Sequence, residues 1–262
     1  MIDLLAALGR GTARWLARVG LLARFAFEAL VSMGTLPGAG RRVAARVLLN
    51  QLRFTALEAV GLIILTSGVL SYLTIASTLA QLDKVGAGEW IGKLMVVVIV
   101  RVLGPLVTAV AVVGRSGTAI TAELATNTVL GEVRALKGMG IDPYHYLVLP
   151  RLFGCVASVM TLMILFDVVA LFGGWLAAGV FGGMSTARYV GIVVANLTTA
   201  DVITTLLEGF LFGAVIGIIP AYEGLAVRRG PTEIPQAVIR GTVHSLAVIF
   251  VLAALVVGVL RL

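Results

Sequence analysis

Three ionisable residues lie well inside apolar stretches of this 262-residue chain: Arg101, Asp167 and Glu208. At bilayer depth such a group costs about 2.5–3.5 kcal/mol on insertion scales, so it faces a partner or a wet cavity. Two chemistries fit the set, a structural ion-pair network inside a helix bundle or a relay for a proton or ion. A second polar constellation, Arg115, Glu123, Glu132, Arg134, Lys137, Asp142 and Arg151, lies together in residues 114–151. Nothing resembles an enzyme centre. His145 and His244 have neither metal-ligand spacing nor a nucleophile motif around them and read as capping or packing residues. Gly92-Lys93 imitates the end of a phosphate-binding loop, but Ala87 stands where the earlier glycine is required and Leu94 where the Ser/Thr is. The chain has no ATP-binding motif of its own, and no cofactor or metal is expected in it.

These residues must be positioned by membrane helices. With 60% hydrophobic and 13% charged residues and a mean hydropathy of +1.07, the chain reads as a polytopic membrane protein. Apolar runs long enough to cross a bilayer fall at about 57–79, 94–113, 152–180, 202–222 and 237–260. The first carries a polar side of Thr66, Ser67, Ser71, Thr74, Ser77 and Thr78. The second holds the helix-perturbing Gly104-Pro105, and the third is long enough to be tilted or broken near Gly173-Gly174. Gly209, Gly213 and Gly217 recur every fourth residue on one face of the fourth, which permits close contact within the subunit or across a dimer. The lone cysteine, Cys155, cannot form an intramolecular disulfide.

The net charge of +7 is explained by topology rather than by nucleic acid. Arginines crowd the first 54 residues, the 114–151 stretch and the region of Arg228, Arg229 and Arg240, while the alternate loops, 83–93 and 181–201, hold only Lys84, Lys93 and Arg188. The positive-inside rule then places the N terminus and the 114–151 stretch in the cytoplasm. Residues 1–54 read as an interfacial region: Arg10, Arg14 and Arg18 share one helical face, Trp15, Leu16 and Val19 another. Within 114–151, small and apolar residues from Ala119 to Met139 recur at helical spacing. They predict a short amphipathic helix along the membrane face that ends at Gly140, before Asp142-Pro143 turns the chain back. Such a helix is either an inert connector or a docking surface.

The run Gly114-Arg115-Ser116-Gly117, Ala122-Glu123-Leu124, Ala135-Leu136, Met139-Gly140, Asp142-Pro143 and Leu149-Pro150-Arg151 resembles the signature of the MlaE/YrbE-type permeases. Arg101 with Leu103-Gly104-Pro105, Asp167 with Gly173-Gly174, and Gly224-Leu225 fit the same pattern, from about residue 52 to the C terminus. The resemblance implies an all-α membrane protein, with five transmembrane helices, an N-terminal amphipathic interfacial helix and a cytoplasmic coupling helix. It would be the permease domain, residues 55–262, of an ABC system that moves phospholipid in the bacterial inner membrane. It further implies a homodimer, a cytoplasmic ATPase that binds ATP and Mg, and an MCE-type lipid-binding protein on the outer side. Arg115, Glu123, Glu132, Arg134 and Asp142 would then form the ATPase-coupling set.

This chain departs from the family pattern at Val102, Glu208 and Ala253, where an acid, a lysine and an aspartate are usual. Arg101 is therefore expected to pair with Glu208 or Asp167. Gly131 and Arg134 replace acids of the coupling helix, which leaves Glu132 as the substitute. An ion-coupled secondary transporter using Arg101, Asp167 and Glu208, or a non-transporting membrane scaffold, are the alternatives. Neither accounts for the long 114–151 motif.

Overall fold

A computed structural model describes residues 53–82, 95–228 and 230–260. The expected interfacial region, residues 1–54, falls almost wholly outside them, as do Lys84, Lys93 and Arg229. Eight α-helices are described: α1 (Glu58–Leu82), α2 (Gly104–Val112), α3 (Thr118–Val129), α4 (Glu132–Gly138), α5 (Leu149–Gly182), α6 (Thr186–Asn196), α7 (Thr199–Leu225) and α8 (Ile234–Leu260). Wide π-type turns at Met95–Leu103, Val113–Gly117 and Tyr144–Val148 join onto their neighbours, so five continuous helical segments are long and apolar enough to span a membrane. They are Thr55–Thr78, Val96–Val129, Tyr144–Gly182, Thr199–Leu225 and Pro231–Val259, and α5 and α7 form the centre of the packing.

The five expected spans are all present, but two are much longer than expected. At 1.5 Å per residue, the 34 residues of Val96–Val129 extend roughly 51 Å and the 39 of Tyr144–Gly182 roughly 58 Å, against an apolar bilayer core of about 30 Å. Residues 114–129 and 144–151, expected as a cytoplasmic loop, are thus the projecting ends of membrane helices, and the single amphipathic helix expected from Ala119 to Met139 is instead split at Gly131 into the end of span two and α4. Their polar side chains pair between helices: Arg115 with Glu58 at the start of α1, and Arg151 with Glu123 at 2.6 Å. Only about residues 130–143 remain as connector.

Helix contacts explain several small residues. Ser71 donates to the Ala170 carbonyl, and a Cβ on Gly173 would stand 3.0 Å from the Gly68 carbonyl oxygen. Gly173-Gly174 is therefore the point where α5 crosses α1 closely, not a break, and α5 runs unbroken to Gly182. The residues between the third and fourth spans also differ from the expected loop, since they contain α6. Ser185 caps it by accepting from the Arg188 amide. Tyr189 ties it to the bundle by donating to the Leu171 carbonyl at 2.8 Å, and burial holds that phenol well above its usual range.

Candidate functional site

At the α4 end of the bundle, α3 is locked in place. Thr121 Oγ1 donates to the Pro220 carbonyl at 3.2 Å, and Cβ atoms on Gly224 or Gly241 would sit 2.8 Å from Thr121 atoms. Spans two, four and five therefore meet without slack around Thr121 and Pro220. Arg151 is almost fully buried, donating to the Leu147 carbonyl at 2.5 Å as well as to Glu123. This pair lines a cleft of about 440 Å³ together with Asn127, Tyr146 and Leu147 and with Glu132, Leu136 and Met139 of the connector.

The connector behaves differently. α4 buries none of its residues, and it is bracketed by Gly131 and Gly140 at φ of 82° and 74°. In that left-handed region a Cβ is strained, so glycine is favoured. Leu130, Met139 and Ile141 are exposed around it. Asp142 accepts from the Tyr144 amide and pairs with His145 Nδ1, each at 3.0 Å, which caps the turn into the third span. The five residues expected to couple thus divide by position. Glu132 and Arg134 stand exposed on α4, with no ion pair among the described residues. Asp142 caps, while Arg115 and Glu123 hold helices to one another.

At the opposite, α6 end, Arg101 forks onto Asp201, with Nε 2.6 Å from Oδ1 and a terminal nitrogen donating to Oδ2 at 3.1 Å. Asp201 Oδ2 also accepts the Thr198 amide at 2.9 Å and its hydroxyl at 2.7 Å, closing a capping box at the start of α7. Asp201, not among the partners expected for Arg101, meets it where spans two and four run side by side, in a register held by this pair and by Thr121 with Pro220. Glu208 lies about 10 Å further along α7 and is 1% exposed. Asp167 does lie close to the pair. It lines a cleft with Asp201 and Thr205, and a Cβ on Gly104 would be 2.9 Å from its Oδ1.

Gly209, Gly213 and Gly217 pack within the subunit, where their missing side chains admit the Met160, Val156 and Leu152 backbone of α5. One further cluster escaped the sequence reading. Glu223 accepts from Arg240 Nε at 3.1 Å and pairs with His244 Nδ1 at 3.0 Å, while Arg240 also reaches Glu233 at 3.6 Å. Its signal was the i,i+4 spacing of Arg240 and His244, which sets both on one face of α8.

Five apolar spans tied together by inter-helix ion pairs define a polytopic, all-α membrane protein. The profile of the Permease MlaE family matches residues 48–259, and the chain belongs to that family. It is 26% identical over 251 residues to a probable ABC transporter permease protein of Rickettsia typhi, covering 96% of this chain and 95% of the relative. It is 28% identical to a probable ABC transporter permease protein of Synechocystis, covering 90% and 88%. To the intermembrane phospholipid transport system permease protein MlaE of Haemophilus influenzae it is 25% identical, covering 98% and 99%. The chain is an ABC transporter permease and a multi-pass inner-membrane protein.

Proposed function

We propose that this chain is the membrane subunit of an ABC-type phospholipid transporter, working as a homodimer with a separate cytoplasmic ATPase and an MCE-type lipid-binding protein on the outer side. The N terminus and α4 lie in the cytoplasm, residues 55–262 form the permease domain, and ATP with Mg belongs to the partner. The named phospholipid permease among its relatives and their full-length coverage support the substrate class. The observation that carries the coupling is the contrast at the α4 end. α4 has no fully buried residue and rests on the core only through Val133 and Leu136, whereas α3, two residues before it, is clamped against α7 and α8. A push on α4 therefore passes into spans two, four and five as one body instead of being absorbed by a slack loop. No covalent step is involved; the ATPase's closure becomes a displacement of helices.

The test is co-purification with the ATPase from the native membrane. Because Glu123 holds Arg151, the informative change is Glu132→Ala with Arg134→Ala on α4, leaving Glu123 intact. Loss of the ATPase from a still-folded, lipid-bearing permease supports the coupling role. Full retention of the ATPase by that variant removes α4 from the interface. Transport driven by a membrane potential without ATP would favour an ion-coupled carrier instead.

A further inference from the structure

The cleft of about 440 Å³ at the α4 end is lined by polar groups that the described residues leave open. Glu132 has no ion pair among them, and neither the Asn127 amide nor the Tyr146 hydroxyl makes a side-chain hydrogen bond there. Glu123, its side chain 56% exposed, uses one oxygen on Arg151 and has the other open. Arg151 is 5% exposed, and its Nε is buried without a partner. Two carboxylates thus share the cleft with one guanidinium, which gives it a net negative charge, and Leu136, Met139 and Leu147 add apolar surface. Arg134 and Lys137 of α4 are not among its lining. The complement is a long cationic side chain, with its stem on the apolar residues and its head at the carboxylates.

The chain itself carries such side chains close by. Residues 29–57 contain Arg41, Arg42, Arg46 and Arg53 and no acid, and Pro37-Gly38 separates these arginines from the earlier ones. The described structure begins next to the cleft. Arg53–Leu57 packs on α5, where Thr55 is fully buried against the Cys155 thiol, one helical turn from Arg151. Glu58 pairs with Arg115, about two turns before Glu123 on span two. Arg46 is seven residues before Arg53 in sequence and so within about 25 Å of it however the chain runs. A tether of that length supplies the arginines at an effective concentration in the millimolar range. A lipid suits the cleft less well. It lies on the projecting ends of spans two and three, clear of the apolar bilayer core, and its net charge repels anionic headgroups.

We propose that residues 41–52 of this chain seat in the cleft, with arginine heads at Glu132 and Glu123 and their stems along Leu136 and Met139. Glu132 also belongs to the turn offered to the ATPase, so the seated segment holds that turn until the ATPase displaces it. The competition rests on the coupling role given to α4 above; the docking does not.

The experiment is cross-linking in the full chain, in native membranes. Val47→Cys with Met139→Cys puts one thiol on each side of the contact and leaves every arginine and acid in place. A short bis-maleimide is expected to join them within one chain, read by peptide mass spectrometry of the monomer band, while Cys155 stays fully buried. Glu132→Gln, or Arg42→Gln with Arg46→Gln, should each lower the yield about threefold, the scale of an exposed ion pair, and high salt should do the same. The arginine variant should also raise recovery of a limiting amount of ATPase by a similar factor. Val47→Cys with Val194→Cys, on α6 at the far end, is the control. A yield no higher than that control assigns the arginines to the membrane surface and overturns the docking. A yield indifferent to the charge changes and to salt overturns it too. With the cross-link formed, ATPase recovery unchanged by the arginine variant overturns the competition. Absence of the ATPase from the parent as well as the variants sinks the transporter reading, which the cross-link does not depend on.

Discussion

Replacing Gly213 by alanine tests the packing at the centre of the bundle. A Cβ at Gly213 would lie 2.5 Å from Val156 Cα, 3.0 Å from Val156 N and 3.1 Å from the Cys155 carbonyl oxygen. All three are backbone atoms of α5, so no rotamer change relieves the clash. Carbon atoms pack best at about 3.5–4.0 Å, and α7 must therefore retreat by roughly 1 Å or more. That movement also loosens the neighbouring contacts at Gly209 with Met160 and Gly217 with Leu152. Overpacking of this kind costs about 1–3 kcal/mol, equivalent to about a 5- to 150-fold fall in the folded-to-unfolded ratio. Gly61→Ala is the matched control. Nothing stands within 4 Å of its Cβ, and removing a mid-helix glycine should stabilise by about 0.5–1 kcal/mol. Helicity followed through an SDS titration in mixed micelles reads both variants on one scale. Equal midpoints for Gly213→Ala and Gly61→Ala would refute the close crossing of α5 and α7.

Asp201→Asn removes the counter-charge of a partly buried guanidinium and weakens the cap of α7. A loss of about 3 kcal/mol is expected in the same titration, and a double-mutant cycle with Arg101→Gln should show coupling well above that of an exposed pair. Thr121→Val keeps the side-chain volume but removes the hydrogen bond to the Pro220 carbonyl, which should cost about 1 kcal/mol and lower transport-coupled ATP turnover more than ATPase binding. Tyr189→Phe frees α6 from Leu171, so backbone amides of 186–196 should exchange hydrogen faster while those of α7 do not change. Because the fold raises the Tyr189 phenol's pKa, its stabilisation is complete below the ordinary tyrosine value of about 10 and is lost as pH rises through the raised one. A stability profile that falls in alkali for the parent and less so for Tyr189→Phe is the expected pair of curves.

The number and order of the spans were legible because length and hydropathy suffice for them. The ends of the second and third spans were not. Arg115, Glu123 and Arg151 are charges of the kind that signals solvated loop, yet each is matched by a charge on a neighbouring helix, and periodicity along one segment contains no record of its partner. Asp201 escaped for a related reason. It was placed at the end of an outer loop, although Thr198 with an acid three residues later is a helix-start signature that would have marked the beginning of α7. The every-fourth-residue glycines announced a close crossing but not its partner, which proved to be α5. In the connector the turn was legible but the helix was not: Gly140 takes the left-handed turn just past α4 and Asp142 turns the chain back, while the break at Gly131 went unread.

The two left-handed glycines around α4 have an evolutionary consequence. Of the seven residues of α4, only Val133 and Leu136 pack against the bundle core, so the other five, between Gly131 and Gly140, can change without any compensating change in the bundle. Selection on this insert is then free to follow the partner alone. If α4 meets the ATPase as proposed, a cell holding several such permeases could keep their ATPases from crossing over by diversifying one short exposed turn, with the bundle helices left untouched.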